Sequence, residues 1–389
     1  MLPSQRALFD LPREVCYLNA AGWSPLPLAV QEAGRIGVGR KGRPWELAPD
    51  FAAGQHDRAR TAAARLINAE PDDVALIPSV GYGVAAAGKA LGPLPAGSRV
   101  LVLEDDHSSP VLEWATRAPA EGFAVETVRR PGDGDWAAAL LAAVERPGTA
   151  PVSVASVSSV HWSDGALLAL DAVARALRDR GAALVVDATH AVGVVRTDVA
   201  ALDPDFLVFP TYKWALGPYG RAFLYVAKRR QADAVPLEQT AHGRRGVAAD
   251  QVPYLRDLAF APGARRFDMG ERDHFVSLEM ASVGMEMLAA WGADAVAARL
   301  RMLTDRMAAG LRDAAAGGVR LALADPRLRA PNLLCLEFAG GMPGGLMERL
   351  AAEDVHVAAR IGRIRVSPHV YNDEEDADRF VAALLRALR

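Results

Sequence analysis

Residues 205–226 read DFLVFPTYKWALGPYGRAFLYV, two apolar runs of strand length separated by a turn that contains Gly217, Pro218 and Gly220. The first run is apolar on both faces, as a central strand of a sheet covered by helices must be. Lys213 stands between that run and the turn, where a solvated surface lysine has no reason to be.

Toward the N-terminus the same composition recurs in AALVVDAT (182–189), PVSVASVSS (151–159) and RVLVLEDD (99–106). Between the first two of these, Leu170, Val173, Ala174 and Leu177 return at helix spacing, and Gly181 follows as a C-terminal cap. This is a βαβ unit. Repeated units give an open α/β sheet with helices on both faces, and ligands bind outside the carboxyl ends of its strands. His107, Asp187 and Lys213 each stand at or just past a strand end and so belong in one crevice. Taken singly, each also has an ordinary reading as a helix cap, a turn former or a surface charge.

From about residue 240 to 265 the pattern breaks into Gly-, Arg- and Pro-containing sequence, a crossing between domains. A long helical segment is expected from Val276 through Leu311. Shorter strands follow at VRLALA, PNLLCLEF, VHVAAR and RIRVSPH, and the tail EEDADRFVAALLRAL reads as an amphipathic helix.

Composition narrows the function. With 389 residues and 51% hydrophobic content the chain can bury the cores of two or three domains. Lys+Arg at 44 against Asp+Glu at 47 leaves no basic excess for nucleic acid or an anionic membrane surface. The apolar stretch around Ala182 to Val186 is cut by Asp187 and His190, far short of the roughly 18 to 20 residues of a membrane span. No export signal is read in MLPSQRALFD, and Cys16 and Cys335 have neither disulfide nor zinc spacing, which fits a reducing cytoplasm and no metal.

On YLNAAGWSPLP (17–27), DHSSPVLEW (106–114), VDATHAVG (186–193), DFLVFPTYKWALGPYG, RRFDMG (265–270) and RIRVSPHVYNDEEDADRF (363–380), in this order, the chain resembles the class V aminotransferase family. These are fold-type I pyridoxal-phosphate enzymes, among them cysteine desulfurases, kynureninase and isopenicillin N epimerase-like proteins. The resemblance implies a large cofactor-binding domain over 25–257 with a mostly parallel seven-stranded sheet. It also implies a smaller C-terminal α/β domain over 258–389 and an N-terminal segment, 1–24, packed with the latter.

It further implies that pyridoxal 5'-phosphate is the cofactor and a small amino acid the substrate. Lys213 matches the lysine that forms an imine with the cofactor, and Asp187 the partner of the pyridine nitrogen. His107 matches the flat side chain over the ring, while His190 and, more distantly, His161 match polar groups near the ring oxygen. Thr211, Tyr212, Ser79, Gly81 and Tyr82 fall on phosphate-binding positions, although relatives often carry a hydroxyl where Gly81 stands. Arg365, with Arg360 as a second candidate, matches the arginine that grips the substrate carboxylate. Asn19 and Trp23 lie on the segment that closes over the substrate.

The family resemblance also implies a homodimer with shared sites. Glu271 occupies the position from which relatives reach the partner's cofactor phosphate, and Arg272 is expected to take over that contact. Aminotransfer is the leading activity; Cβ lysis, epimerisation and silent cofactor binding are the alternatives. Persulfide chemistry is disfavoured because VHVAARIGRIR, the loop before Arg365, holds no cysteine.

Overall fold

The structure, a computed structural model, describes residues 2–247, 258–312 and 318–389. After a two-residue strand β1 (Cys16–Tyr17), helices α1 (Leu28–Gly42) and α2 (Phe51–Ile67) lead into a run of alternating strands and helices. These are β2 (Val74–Ile77), α3 (Val80–Leu91), β3 (Arg99–Leu103), α4 (Ser108–Glu121), β4 (Ala124–Val128), α5 (Trp136–Glu145), β5 (Val152–Ser158), α6 (Asp171–Asp179), β6 (Ala183–Asp187), α7 (Val199–Leu202), β7 (Phe206–Pro210), β8 (Ala222–Val226) and α8 (Lys228–Gln231).

Strands β2 to β8 form one seven-stranded sheet in the order β2-β8-β7-β6-β5-β3-β4. Only β8 runs against the rest. Every residue of β2, β3, β6, β7 and β8 is buried, because helices cover both faces and each strand carries apolar side chains on both. The antiparallel entry of β8 sets Ala222 opposite both Pro210, the last residue of β7, and Ile77, the last residue of β2. The residues following β2, β3, β5, β6 and β7 therefore emerge at the same edge of the sheet as those preceding β8.

The long helix expected over 276–311 is two helices, α9 (Ser277–Trp291) and α10 (Ala293–Gly310). Gly292, at φ +79°, breaks it, since this backbone angle is strained for any residue with a Cβ. Helix α9 begins beyond residue 258 yet packs against α1 and α2 beside the large sheet. The expected crossing at 240–265 lies partly outside the described residues.

A second sheet, antiparallel, has the order β12-β13-β10-β9, formed by β9 (Val319–Leu321), β10 (Leu334–Phe338), β12 (Ala358–Arg360) and β13 (Arg363–Val366). Helices α10, α11 (Leu346–Ala351) and α12 (Glu374–Ala387) enclose its core with Leu334, Leu336, Ile364, Val366 and Phe380. Helix α12 opens with a capping box in which Asp373 and Asp376 each accept the other's backbone amide. The N-terminal strand belongs here too: β1 pairs in parallel with β11 (Val355–His356), and Asn19 bridges to Ser367.

Candidate active site

A cavity of about 290 Å³ opens at the carboxyl edge of the large sheet. Each of its walls is a strand end: Pro78 to Gly81 after β2, His107 after β3, Ser158 and Trp162 at the end of β5, Asp187 to His190 at the end of β6, Tyr212 and Lys213 after β7, and Tyr219 to Arg221 before β8.

The segment that carries Lys213 is closed on itself. Thr211 Oγ1 donates to Pro218 O at 2.6 Å, Gly217 N donates to Thr211 O at 2.9 Å, and Thr211 N donates to Arg221 O at 3.0 Å. A Cβ at Gly217 would lie 2.7 Å from Thr211 Cβ, so only glycine closes this turn. Lys213 itself is buried, with its Nζ 3.4 Å from His190 Nε2. Trp214 Nε1 donates to His190 Nδ1 at 3.1 Å. An indole N–H only donates, so His190 Nδ1 carries no proton and the neutral ring holds its proton on Nε2. That nitrogen is then a donor, and it suits an uncharged amine at Lys213. Burial lowers the Lys213 pKa, helped by Arg365 and opposed by Asp187. Burial likewise keeps His190 well below histidine's usual value, with Lys213 adding to the effect.

Asp187 closes β6 with its carboxyl buried in the cavity floor. Its Oδ1 accepts from Thr189 N at 2.9 Å. Burial raises its pKa above the usual carboxylate range, against the Thr189 hydrogen bonds. His107 stands at the N-terminal boundary of α4 without capping it through its side chain, its ring exposed at the cavity wall and edge-to-face with Trp162 at 5.9 Å. Desolvation and the Lys213 charge lower its pKa.

Two cationic side chains near this floor have no carboxylate partner among the described residues. Arg365, on β13, is 2% exposed; its Nη1 donates to Trp162 O at 3.2 Å and its Nε has no acceptor. Burial lowers its pKa to about 10. Arg221 is 5% exposed, and its Nε donates to Ser277 Oγ at 2.7 Å. At the same end of the cavity the Val80 and Gly81 amides, in the first turn of α3, meet no acceptor among the described residues.

The fold thus brings Ser79, Gly81, His107, Asp187, His190, Tyr212 and Lys213 into one cavity. Tyr212 stacks at a tilt on Tyr219 with ring centres 4.2 Å apart, and Trp23 reaches Tyr219 at 6.2 Å from the N-terminal segment. Asn19 holds that segment, accepting the Gly22 and Trp23 amides on its backbone oxygen. Arg360 Nη1 donates to Ala359 O at 2.7 Å, and its charge acts on Lys213 and Arg365.

Four expected positions are placed elsewhere. The Thr211 hydroxyl is consumed in closing its turn. Tyr82 gives its amide to the Ser79 cap, and burial, with Glu238 adding to it, raises its hydroxyl's pKa. His161 stacks on Trp136 at 4.7 Å and is held by Glu104 O, Ser163 and Asp164, a buried structural network. Arg272 is ion-paired within its own chain to Asp268, which also holds Arg60, while Glu271 is exposed. Arg221, Trp162, Ser109, Ser158, Thr189 and Tyr219 also line the cavity and were not among the expected site residues; an arginine in a turn and a tryptophan between polar residues carry no local signal of this position.

Residues 46–380 match the family model described as Aminotransferase class-V. The chain belongs to this family. Class V aminotransferases are dependent on pyridoxal 5'-phosphate. The chain is 28% identical to the uncharacterized aminotransferase YcbU of Bacillus subtilis over 336 residues, covering 86% of this chain and 84% of that one. It is 26% identical to the isopenicillin N epimerase of Amycolatopsis lactamdurans over 394 residues, covering 97% and 96%. The apo cysteine desulfurase of Thermococcus onnurineus NA1 shares the fold, with a TM-score of 0.84 at 19% identity over 98% of this chain and 96% of that one. No helix among the described residues is long and apolar enough to cross a membrane.

Proposed function

We propose that this class V family member is an aminotransferase acting on an α-amino acid. The observation that carries the reading is Lys213: a buried amine with a lowered pKa, facing a histidine N–H, in one cavity with the buried carboxyl of Asp187. The donor set fits the cofactor, because it offers an amine for an aldehyde, a carboxyl without a fixed ion pair for a ring nitrogen, and free amides at a helix N-terminus for a phosphate.

When bound, pyridoxal phosphate supplies the aldehyde and an electron-withdrawing pyridinium ring. Lys213, whose lowered pKa makes the uncharged amine accessible near neutral pH, would hold the cofactor's aldehyde carbon and would be placed to move the proton at the substrate's α-carbon. Asp187 would hold a protonated ring nitrogen, since a buried carboxylate favours a cation beside it. His107 and Trp162, edge to face, would form one wall against the ring. His190, locked by Trp214, would keep Nε2–H as a donor beside Lys213, where a polar group of the bound ring could share it. Arg365, desolvated and without a counter-ion, binds the substrate carboxylate.

Sulfur transfer through a protein thiol is disfavoured by the two cysteines. Both Cys16 and Cys335 are buried, and burial raises each thiol to about 12, so neither offers a thiolate. Epimerisation is the second reading, favoured by the alignment to the isopenicillin N epimerase over nearly the whole of both chains. Incubating the purified holoenzyme with individual amino acids, with and without a keto acid, separates the two. Keto-acid formation that depends on an added amino acceptor supports aminotransfer; stereoinversion without keto acid supports the epimerase, and ammonia with pyruvate in place of both points to a lyase.

A further inference from the structure

The cavity lining holds two cations, Lys213 and Arg221. Lys213 is set apart by its neighbours for the uncharged form, which leaves Arg221 as the permanent charge. Burial lowers the Arg221 pKa too, but an arginine starts from so high a value that it stays protonated. A buried guanidinium without a carboxylate is costly unless an anion reaches it. Among the other buried arginines, Arg60, Arg99, Arg299 and Arg329 each have an acidic partner and Arg266 donates to the backbone oxygens of Ala232, Ala234 and Ala261, whereas Arg221, like Arg365, has no carboxylate and is held only by Ser277 Oγ and, through Nη1, by Met269 Sδ at 3.1 Å. Its Nη2 has no acceptor among the described residues.

The space in front of it is built for an anion. Arg221 shares the cavity end formed by Pro78 to Gly81, where the Val80 and Gly81 amides are unengaged at the positive end of a twelve-residue helix. A Cβ added at Gly81 would meet nothing closer than Ser109 Oγ at 4.0 Å, so this corner is open. Thr211 Oγ1 donates within its own turn, while Ser79 Oγ accepts the Tyr82 amide and so keeps its own proton free to donate.

We propose that Arg221 is the cationic ligand of the cofactor's phosphate, acting with the α3 amides. This rests on the reading of the chain as a pyridoxal-phosphate enzyme. The guanidinium supplies a planar pair of donors and the full charge that helix amides, with their partial charge, cannot.

The test is to strip the holoenzyme and titrate the apo-protein with pyridoxal 5'-phosphate and, separately, with pyridoxal, which has the aldehyde and ring but no phosphate. Arg221→Gln is expected to weaken binding of the phosphorylated ligand by on the order of tenfold or more and to leave pyridoxal binding unchanged. Arg221→Lys, which keeps the charge and loses the fork, should fall between the two. Unchanged affinity in Arg221→Gln, or an equal loss for both ligands, overturns the proposal. Should Arg221→Gln fail to fold, the same ratio read in Arg221→Lys decides: a loss confined to the phosphorylated ligand supports the role, and no loss or a parallel loss removes it. Wild-type protein that captures neither ligand would instead overturn the cofactor reading, and this assignment with it.

Discussion

Lys213 Nζ stands 3.4 Å from His190 Nε2, on the side of the imidazole opposite the nitrogen that accepts from Trp214. The indole therefore fixes, through one ring, which proton state of the amine is comfortable.

Covalent capture of pyridoxal 5'-phosphate by the apo-protein should accelerate as pH rises and level off well below lysine's usual range, because burial lowers the Lys213 pKa and the uncharged amine is the reacting form. Trp214→Phe frees His190 Nδ1 to take the proton, so that Nε2 can accept from an ammonium. The midpoint of the capture profile should then move to higher pH; an unmoved midpoint would show that the indole does not set the tautomer. Lys213→Ala should abolish borohydride-trappable cofactor and reduce turnover by roughly 10² to 10⁴-fold.

Asp187 is held above the usual carboxylate pKa by burial, so the folded apo-protein keeps a proton that the unfolded chain has already released. Stability from this group is fullest in acid and is lost as pH rises through the folded value. Asp187→Asn removes that loss. Apo-protein melting curves should place the variant above wild type by a few degrees near pH 8 and level with it near pH 4, while turnover of the holoenzyme falls sharply. An equal gain at both pH values would point to packing instead.

Arg365→Leu should raise KM for any amino acid substrate by the equivalent of about 2 to 4 kcal/mol, since the carboxylate would lose a desolvated partner. The cofactor's absorbance should be unchanged. If Arg360→Leu had the larger effect, the two assignments would be exchanged.

Helix α9 approaches the lysine segment at Gly284, where an added Cβ would lie 2.7 Å from Ala215 O and 2.8 Å from Leu216 O. Neither backbone oxygen can yield easily, because Leu216 already sits at φ +55°. Gly284→Ala should cost about 1 to 3 kcal/mol in denaturant unfolding and impair cofactor capture. Gly54→Ala, in α2 with nothing within 4 Å, should be neutral or stabilising.

What was legible beforehand was what depends on a strand's own composition. The apolar runs 99–106, 151–159, 182–189 and 205–211 announced buried strands, and Asp187 and Lys213 at two of their ends announced a shared crevice. What was illegible depends on distant partners. Arg221 is buried only because Ser277 and Met269 come to meet it, and His161 turns from the cavity because Trp136 offers a stacking face. Thr211 sits beside the lysine in sequence, yet the return of the chain at Pro218 claims its hydroxyl first. Gly292 was hidden in an alanine-rich periodicity that runs through on both sides.

The first ordered strand has a consequence for synthesis on the ribosome. Cys16 N donates to Asp354 O, Leu18 N to His356 O, and Ala21 N to Ser367 Oγ across 346 residues of chain. The stretch that ends at Trp23 is thus made hundreds of residues before the backbone partners it pairs with. The large sheet can assemble while the chain grows, but its neighbouring β1 segment must wait, unpaired and apolar, until the strands around residues 355 to 367 are made. A nascent chain paused before that point would lack the pairing that sets Trp23 against Tyr219 beside the cavity.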